Sequence, residues 1–256
     1  MSLNSIPLTL TDIPVGKTVT VKVPASSANL GPGYDTLGLA LGYYDELTVE
    51  RIAEGLEFEL SGEGSDTVPR NENHLVVRSM RVVFEKVGLD EFPALRLTAH
   101  NRIPHSRGMG SSASAIVAGV AAASALLPEY ARLSRDQIFQ IASDVEGHPD
   151  NVAPSVYGSL SISWGELGDW HSLIVPVHPT IVPVVAVPDY EVSTKLARSL
   201  IPAEIPHGQA AANSGRAALL IQSLAQAPEH LMDATVDYLH QGYRDAAERG
   251  SGGVSA

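Results

Sequence analysis

The sequence predicts an α+β protein. Some runs alternate apolar and polar residues as half-buried strands do, and others repeat apolar residues at helical spacing. The two kinds do not succeed one another regularly, as a doubly wound parallel sheet requires. Val19, Val21 and Val23 put one apolar face on a strand over Thr18–Val23. A loop of small residues, Pro24–Gly33, follows, and then an apolar run, Leu37–Leu41. Leu56, Phe58 and Leu60 mark a second alternating strand, and Leu95 with Leu97 a third. Between them Pro69–Asn73 is turn chemistry, and His74–Val87 carries Val76, Val77, Met80, Val83, Phe84 and Val87 near helical spacing.

The run from Ile103 to Ala113 is a glycine-serine loop leading into an alanine-rich helix. Ser134, with Gln137 three residues on, opens a further helix as a capping box, and Ile138, Ile141, Ala142 and Val145 form its apolar stripe. Gly147–Pro154 reads as a loop, and Leu160, Ile162 and Trp164 as a strand. A composition shift near Gly165–Asp169 suggests a domain junction, dividing the chain into residues 5–168 and 169–256. Beyond it the patterns predict strands near Ser172–Val177 and Ile181–Val187, and helices near Ser193–Leu200, Gly215–Gln226 and Glu229–Gln241. Asp245–Ala256 reads as a polar tail.

Composition narrows the function. With 29 acidic against 17 basic residues the net charge is −12, which argues against a nucleic-acid surface but not against a local anion site. The absence of cysteine excludes disulfides, a thiolate nucleophile and Cys-ligated metal, and is compatible with a reducing cytosol. The longest apolar run, Ala113–Leu127, is too short and too mild for a membrane span. No basic head precedes an apolar block at the N-terminus, so no signal peptide is expected.

Thr11–Thr18 resembles a Walker A loop, but Thr11 stands where that loop has its first glycine and a strand follows, so its amides would not open a helix. His148-Pro149-Asp150 matches the tripeptide of J-domain co-chaperones without their basic hairpin, and that reading is rejected. In Arg107–Ala113, Gly108 and Gly110 permit close backbone approach, Ser111 and Ser112 add hydroxyls, and the helix that follows offers unpaired amides to an anion such as a triphosphate. The alternative is a Gly-Ser linker with a serine cap, and the helix immediately downstream favours the phosphate site. Pro24–Asp35 is an irregular loop in which Asn29 and Asp35 are either functional or ordinary turn formers. Glu146–Asn151 crowds acid, imidazole and amide at a helix end, as a site or as capping. Arg198 and Arg244, by spacing alone, are surface arginines.

Taken together these segments resemble the GHMP kinase superfamily and, within it, the homoserine kinase family. Pro24–Ala40 resembles that family's first motif almost residue for residue, and Pro104–Ala113 resembles the superfamily's phosphate loop. Glu146–Pro154, Val192–Arg198 and His240–Arg244 are similar to homoserine kinases in particular. The resemblance, over about Thr18–Arg244, implies an N-terminal ribosomal-protein-like ATP-binding domain and a ferredoxin-like C-terminal domain. It implies transfer of a phosphoryl group from MgATP to the side-chain hydroxyl of L-homoserine, on the route to threonine, by a cytoplasmic enzyme for which a homodimer is the family expectation. Pro104, His105, Ser106, Arg107, Gly108, Met109, Gly110, Ser111, Ser112 and Ala113 would hold ATP, with Asn73 beside the base. Asn29, Asp35, His148, Thr194, Arg198 and Arg244 would bind the substrate, the two arginines clamping its carboxylate. Asn29, Asp35, His148 and Asn151 would make up the catalytic set; some superfamily members place an aspartate base at Asn151, and its absence implies direct transfer.

Ser112 would share Mg²⁺ with a carboxylate, for which three positions compete. An ungapped match to divergent relatives points to Gln140, a neutral amide and a poorer ligand. Asp144 falls on the polar face of the helical wheel, whereas Glu146 flanks the apolar stripe and adjoins a glycine loop, which makes it the better candidate. The family pattern then continues through a Gly-x-Gly-Pro motif and final strands, where this sequence reads Asp245–Ala256. The C-terminal domain is therefore expected to be incomplete, and the chain less stable or less active than a full-length relative. The alternatives are another GHMP small-molecule kinase, which the two arginines disfavour for substrates lacking a carboxylate, and a non-catalytic nucleotide-binding relative.

Overall fold

The computed structural model describes residues 8–89, 91–187 and 194–244, with the side chains of 194–196 outside that set. The architecture is α+β: six strands in one sheet with helices against it. β1 (Thr18–Ala28) and β2 (Leu37–Arg51) run antiparallel, and their register shifts between Pro24 and Ser26. Pro24 has no N–H for the ladder, and such an irregularity bends the strand. Ser26–Ala28 thereby stays paired with Gly38–Ala40 while Ser26 N donates to Met109 O of the glycine loop.

The other edge of β2 is shared. Its C-terminal half pairs with β4 (Leu95–Asn101) and its first residues with β5 (Leu160–Glu166), both antiparallel. β3 (Leu56–Gly62) lies parallel to β4, the connection between them passing through α1 (Leu75–Val87), and β6 (Asp169–Val175) completes a hairpin with β5. α1, α2 (Ser111–Leu126) and α3 (Arg135–Glu146) bury Val77, Met80, Val83, Val120, Leu126 and Phe139 against Val49, Leu95 and Leu97. The alanine richness of α2 follows from contact on several sides. At Gly119 a Cβ would stand 2.6 Å from Val76 O of α1, so only glycine allows that approach. A second cluster packs Leu220, Leu224 and Ala234 of α6 (His207–Ala225) and α7 (Leu231–Ala234) on Leu37 and Leu160. Two short helices, α4 (Val152–Tyr157) and α5 (Thr194–Ser199), complete the set used below.

Four readings are corrected. The loop after β1 is partly strand, to Ala28, followed by a 3-10 segment, Gly31–Thr36. The expected junction at 168/169 is instead the turn of the β5–β6 hairpin, and Trp170 beyond it is buried in the main core with its indole N–H on Asp144. The helix read over Glu229–Gln241 is broken: the Asp237 carboxylate accepts from the amides of Leu239, His240 and Gln241 and starts a new turn. Ile181–Val187 makes no strand among the described residues, and Val184 there is 91% exposed.

Those valines are an association hazard. Replacing Val182 and Val184 by lysine should raise the concentration at which the chain self-associates in light scattering. The unfolding midpoint should shift by no more than about 0.5 kcal/mol, as for surface substitutions generally; a large loss of stability would show that the segment packs in solution. Among the described residues no helix is long and apolar enough to cross a membrane.

Candidate active site

The loop before α2 is held open by its own backbone. Ser106, Gly108 and Gly110 all take positive φ, at 56°, 71° and 68°. Its entry is fixed by Asp45, whose Oδ1 accepts from Arg102 N and Ile103 N at 2.6 and 2.9 Å, while burial pushes its carboxyl above the ordinary range. Met109 packs with Ala25, Leu41 and Ile103. The residue capping α2 is Gly110, which has no side chain to accept from the first-turn amides. The serine cap of the linker alternative is therefore absent, and the helix presents open N–H groups and the positive end of its dipole to the adjoining space.

That space is a cavity of about 600 Å³ lined by Asn29, residues 106–112, Glu146, His148, Asp150, Asn151, Arg198, His240, Gln241 and Arg244. Three arginines converge on it in a chain whose net charge is −12. Ser112 Oγ donates to Glu146 Oε2 at 2.8 Å, pairing the first turn of α2 with the last residue of α3. Burial pushes the Glu146 carboxyl up, and the Ser112 hydrogen bond opposes that shift. The competing residues of α3 are engaged elsewhere. Gln140 bonds both backbone groups of Trp170, and Asp144 accepts from Gly168 N at 2.9 Å and Trp170 Nε1 at 3.0 Å. A hydroxyl beside a carboxylate is the oxygen donor set that suits Mg²⁺, which keeps most of its shell from water and substrate phosphates. No cluster of three or more His, Cys, Asp or Glu able to hold a metal occurs among the described residues.

α3 ends at Gly147, φ 89°, and the chain turns through His148–Asn151 into α4. His148 Nδ1 stands 2.5 Å from Asp150 Oδ1, and that hydrogen bond raises the imidazole above its ordinary value against the opposing effect of burial. Asp150 also accepts from Asn151 N at 2.9 Å, yet its Oδ2 is buried without a partner, as is Oδ1 of Asn29. Asn151 Oδ1 accepts from Ser26 Oγ at 2.9 Å, tying this turn to the bent end of β1.

A second cavity, of about 410 Å³, is lined by Asp35, Thr36, Gly147, His148, Pro149 and Arg198 together with the β5–β6 hairpin. Arg198 of α5 faces both cavities and grips Asp35 with its fork, Nη2–Oδ1 at 2.8 Å and Nη1–Oδ2 at 3.1 Å. Arg244 Nη1 lies 3.4 Å from Nδ1 of His240, whose Nε2 is 2.8 Å from Gly31 O. Thr194 opens α5 with its side chain outside the described set. A third cavity, of about 310 Å³, adjoins the loop at Ser106, Ser111 and Ser112 and reaches Val68, Asn73, His74, Leu75 and Ala118, a slot with apolar walls suited to a flat ring. Of the residues assigned from sequence whose side chains are described, Pro104 and Ala113 line none of these cavities, Ala113 being fully buried in the core. Sequence reasoning missed Ser26, Tyr34, Asp150, His240 and Gln241. All five lay inside segments already singled out, Pro24–Asp35, Glu146–Asn151 and His240–Arg244, but nothing local marked them within those segments.

His74, in the third cavity, is buried with Nδ1 unpartnered, and burial depresses its imidazole. A depressed value in the folded state means that the unfolded chain binds the proton first as pH falls. Stability is intact above about pH 6.5 and declines below it. His74→Leu should therefore flatten the fall in urea midpoint between pH 7 and pH 5. Equal slopes in variant and wild type would contradict this.

Comparison with known proteins identifies the family. Residues 74–159 match the family model of the GHMP kinases N terminal domain, which spans α1, the glycine loop, α2, α3 and α4. The chain is 49% identical over 230 residues to the homoserine kinase of Streptomyces coelicolor, covering 90% of this chain and 74% of that protein. It is 50% identical over 233 residues to that of Leifsonia xyli subsp. xyli, covering 91% and 72%. Among solved structures, the homoserine kinase of Cytophaga hutchinsonii superposes with a TM-score of 0.76 at 25% identity, over 90% of this chain and 74% of that one. The phosphomevalonate kinase of Streptococcus pneumoniae shares the fold, with a TM-score of 0.61 at 14% identity. With half its residues identical to such relatives over nine-tenths of its length, the chain belongs to the homoserine kinase family of the GHMP kinases.

Proposed function

We propose that this chain transfers the γ-phosphoryl group of ATP to the side-chain hydroxyl of L-homoserine, giving O-phospho-L-homoserine and ADP. The observation that carries the reading is a single cavity lined both by an anion-binding helix start with the Ser112–Glu146 pair and by Arg198 and Arg244. The open amides of α2, Ser111, Ser112 and the Arg107 side chain suit the phosphates, and the slot at Asn73 and His74 suits the base. Ser112 and Glu146 supply oxygen donors for Mg²⁺, which when bound would neutralise charge on the β- and γ-phosphates.

Arg198 and Arg244 match the carboxylate of an amino acid, and Asp35 its ammonium. Asn29 and Asn151 hold the hydroxyl toward the phosphates. The hydroxyl oxygen bonds to phosphorus as the bond to the β-phosphate oxygen breaks, and the hydroxyl proton passes to a phosphoryl oxygen. In a loose transition state little nucleophile activation is required, so positioning and charge neutralisation carry the rate. Asn151 fits that role: an amide orients a hydroxyl without taking its proton, and its own orientation is fixed by Ser26. His148 is held by its hydrogen bond to Asp150 at the wall of the same cavity, where it can contact the substrate. A cytoplasmic location belongs to the same reading, as the family resemblance implies.

The reading predicts that Arg198→Ala raises KM for homoserine about tenfold or more, the loss of one charge-assisted hydrogen bond being worth about 1.5–3 kcal/mol. KM for ATP should stay within about twofold. Steady-state kinetics with each substrate varied checks this, and a parallel fall in ATP affinity would remove Arg198 from substrate binding.

A further inference from the structure

The Asp35–Arg198 pair joins two groups that the proposed function assigns to opposite charges of one ligand. Both oxygens of Asp35 are engaged by the two terminal nitrogens of Arg198, at 2.8 and 3.1 Å, in the parallel fork geometry that makes such pairs strong. Their side chains are 40% and 39% exposed, so water screens the pair only in part. The guanidinium is also backed by Tyr34, with Cζ 5.7 Å from the ring centroid and Nη1 3.4 Å from the hydroxyl. Tyr34 is itself fixed. It sits at φ 36°, where a bulky residue is strained, and its ring stacks at 4.8 Å on the buried His240. The partners are therefore presented to each other by a built support, and Arg198 stands at the boundary between the two cavities.

We propose that Asp35 and Arg198 form a latch that a bound zwitterion replaces, so that the site selects α-amino acids over ligands bearing only one of the two charges. This rests on the substrate reading above. A hydroxy acid can take Arg198 only by stranding Asp35 without a cation, and an amino alcohol can take Asp35 only by stranding Arg198. A zwitterion exchanges one ion pair for two and strands nothing. Removing either charge from the ligand thus loses a contact and also sets the internal pair against binding. Selectivity arises in part from what the wrong ligand must break.

The consequence is a gain of affinity on mutation, which a purely additive clamp does not produce. The ligands are L-homoserine, 4-hydroxybutyrate (carboxylate only) and 3-amino-1-propanol (ammonium only), titrated by calorimetry or NMR into the whole chain with a non-hydrolysable ATP analogue and Mg²⁺. Asp35→Asn frees Arg198 and should bind 4-hydroxybutyrate fivefold or more tighter than wild type, while binding homoserine at least tenfold more weakly. Arg198→Gln frees Asp35 and should show the mirror pattern, tighter for 3-amino-1-propanol and weaker for homoserine. Each variant decides alone if the other does not fold. Homoserine binding by wild type without a gain of single-charge affinity in either variant overturns the latch and leaves the substrate reading standing. No homoserine binding by wild type overturns both.

Discussion

Glu146→Gln is expected to lower phosphoryl transfer about a hundredfold at limiting Mg²⁺ while the chain stays folded. The substitution is isosteric, and the amide oxygen can still accept from Ser112 Oγ, so the link between α2 and α3 survives. What disappears is the negative charge, which a hard dication with few protein ligands needs most. Loss of a charge-assisted contact in a partly desolvated site is worth about 1.5–3 kcal/mol, and each 1.36 kcal/mol is tenfold in rate. The effect should shrink as Mg²⁺ is raised, since weakened binding is offset by concentration. Asp144→Ala is the informative contrast. Asp144 Oδ1 accepts from Gly168 N and the indole of Trp170, so removing that acceptor should cost stability and leave the Mg²⁺ dependence unchanged. If the two variants exchange these behaviours, the metal acid is misassigned.

Gly110→Ala should be the most damaging single change in the glycine loop, with ATP affinity down tenfold or more. The position has φ 68°, where an L-residue costs about 1–2 kcal/mol. Its Cβ would also fall within clashing range of Ser26 Oγ and 3.0 Å from Asn151 Oδ1. Ser26 is fully buried and cannot step aside without breaking its bond to Asn151. The alanine would therefore disturb both the first turn of α2 and the residue assigned to the substrate hydroxyl. Gly108→Ala meets nothing within 4 Å at a similar φ of 71° and should carry the backbone cost alone. Nucleotide titration of the two variants checks the order, and equal losses would mean that the contact with Ser26 is irrelevant.

The fold was largely legible where periodicity had one cause. Alternation at Val19, Val21 and Val23 and the capping box at Ser134 and Gln137 located β1 and α3, the latter with both reciprocal bonds formed. It failed where a partner decides. Val182, Val184 and Val185 have the composition of a strand, but a strand exists only when another chain segment fills its hydrogen bonds, and none of the described residues does so. The turn at Gly165–Asp169 looked like a linker because hairpin tips and linkers share polar, glycine-rich composition. The buried Trp170 immediately after it shows which one it is.

In the site, local loops were readable and long-range pairings were not. Arg107–Ala113 announced an anion site through its glycines, serines and the helix behind it. Helical-wheel position singled out Glu146, although nothing in the sequence showed that Ser112, 34 residues away, would donate to it. The grip of Arg198 on Asp35 spans 163 residues, and the stack of Tyr34 on His240 joins segments still further apart in the chain. No spacing rule reaches across such intervals.

The most direct test of the central claim is ADP release by the 256-residue chain with MgATP and L-homoserine, using L-serine and mevalonate as control acceptors. The expected result is ADP formed in proportion to homoserine and at background with both controls. ATP binding without homoserine-dependent ADP, or equal turnover with mevalonate, would contradict the assignment of this cavity to amino-acid phosphorylation.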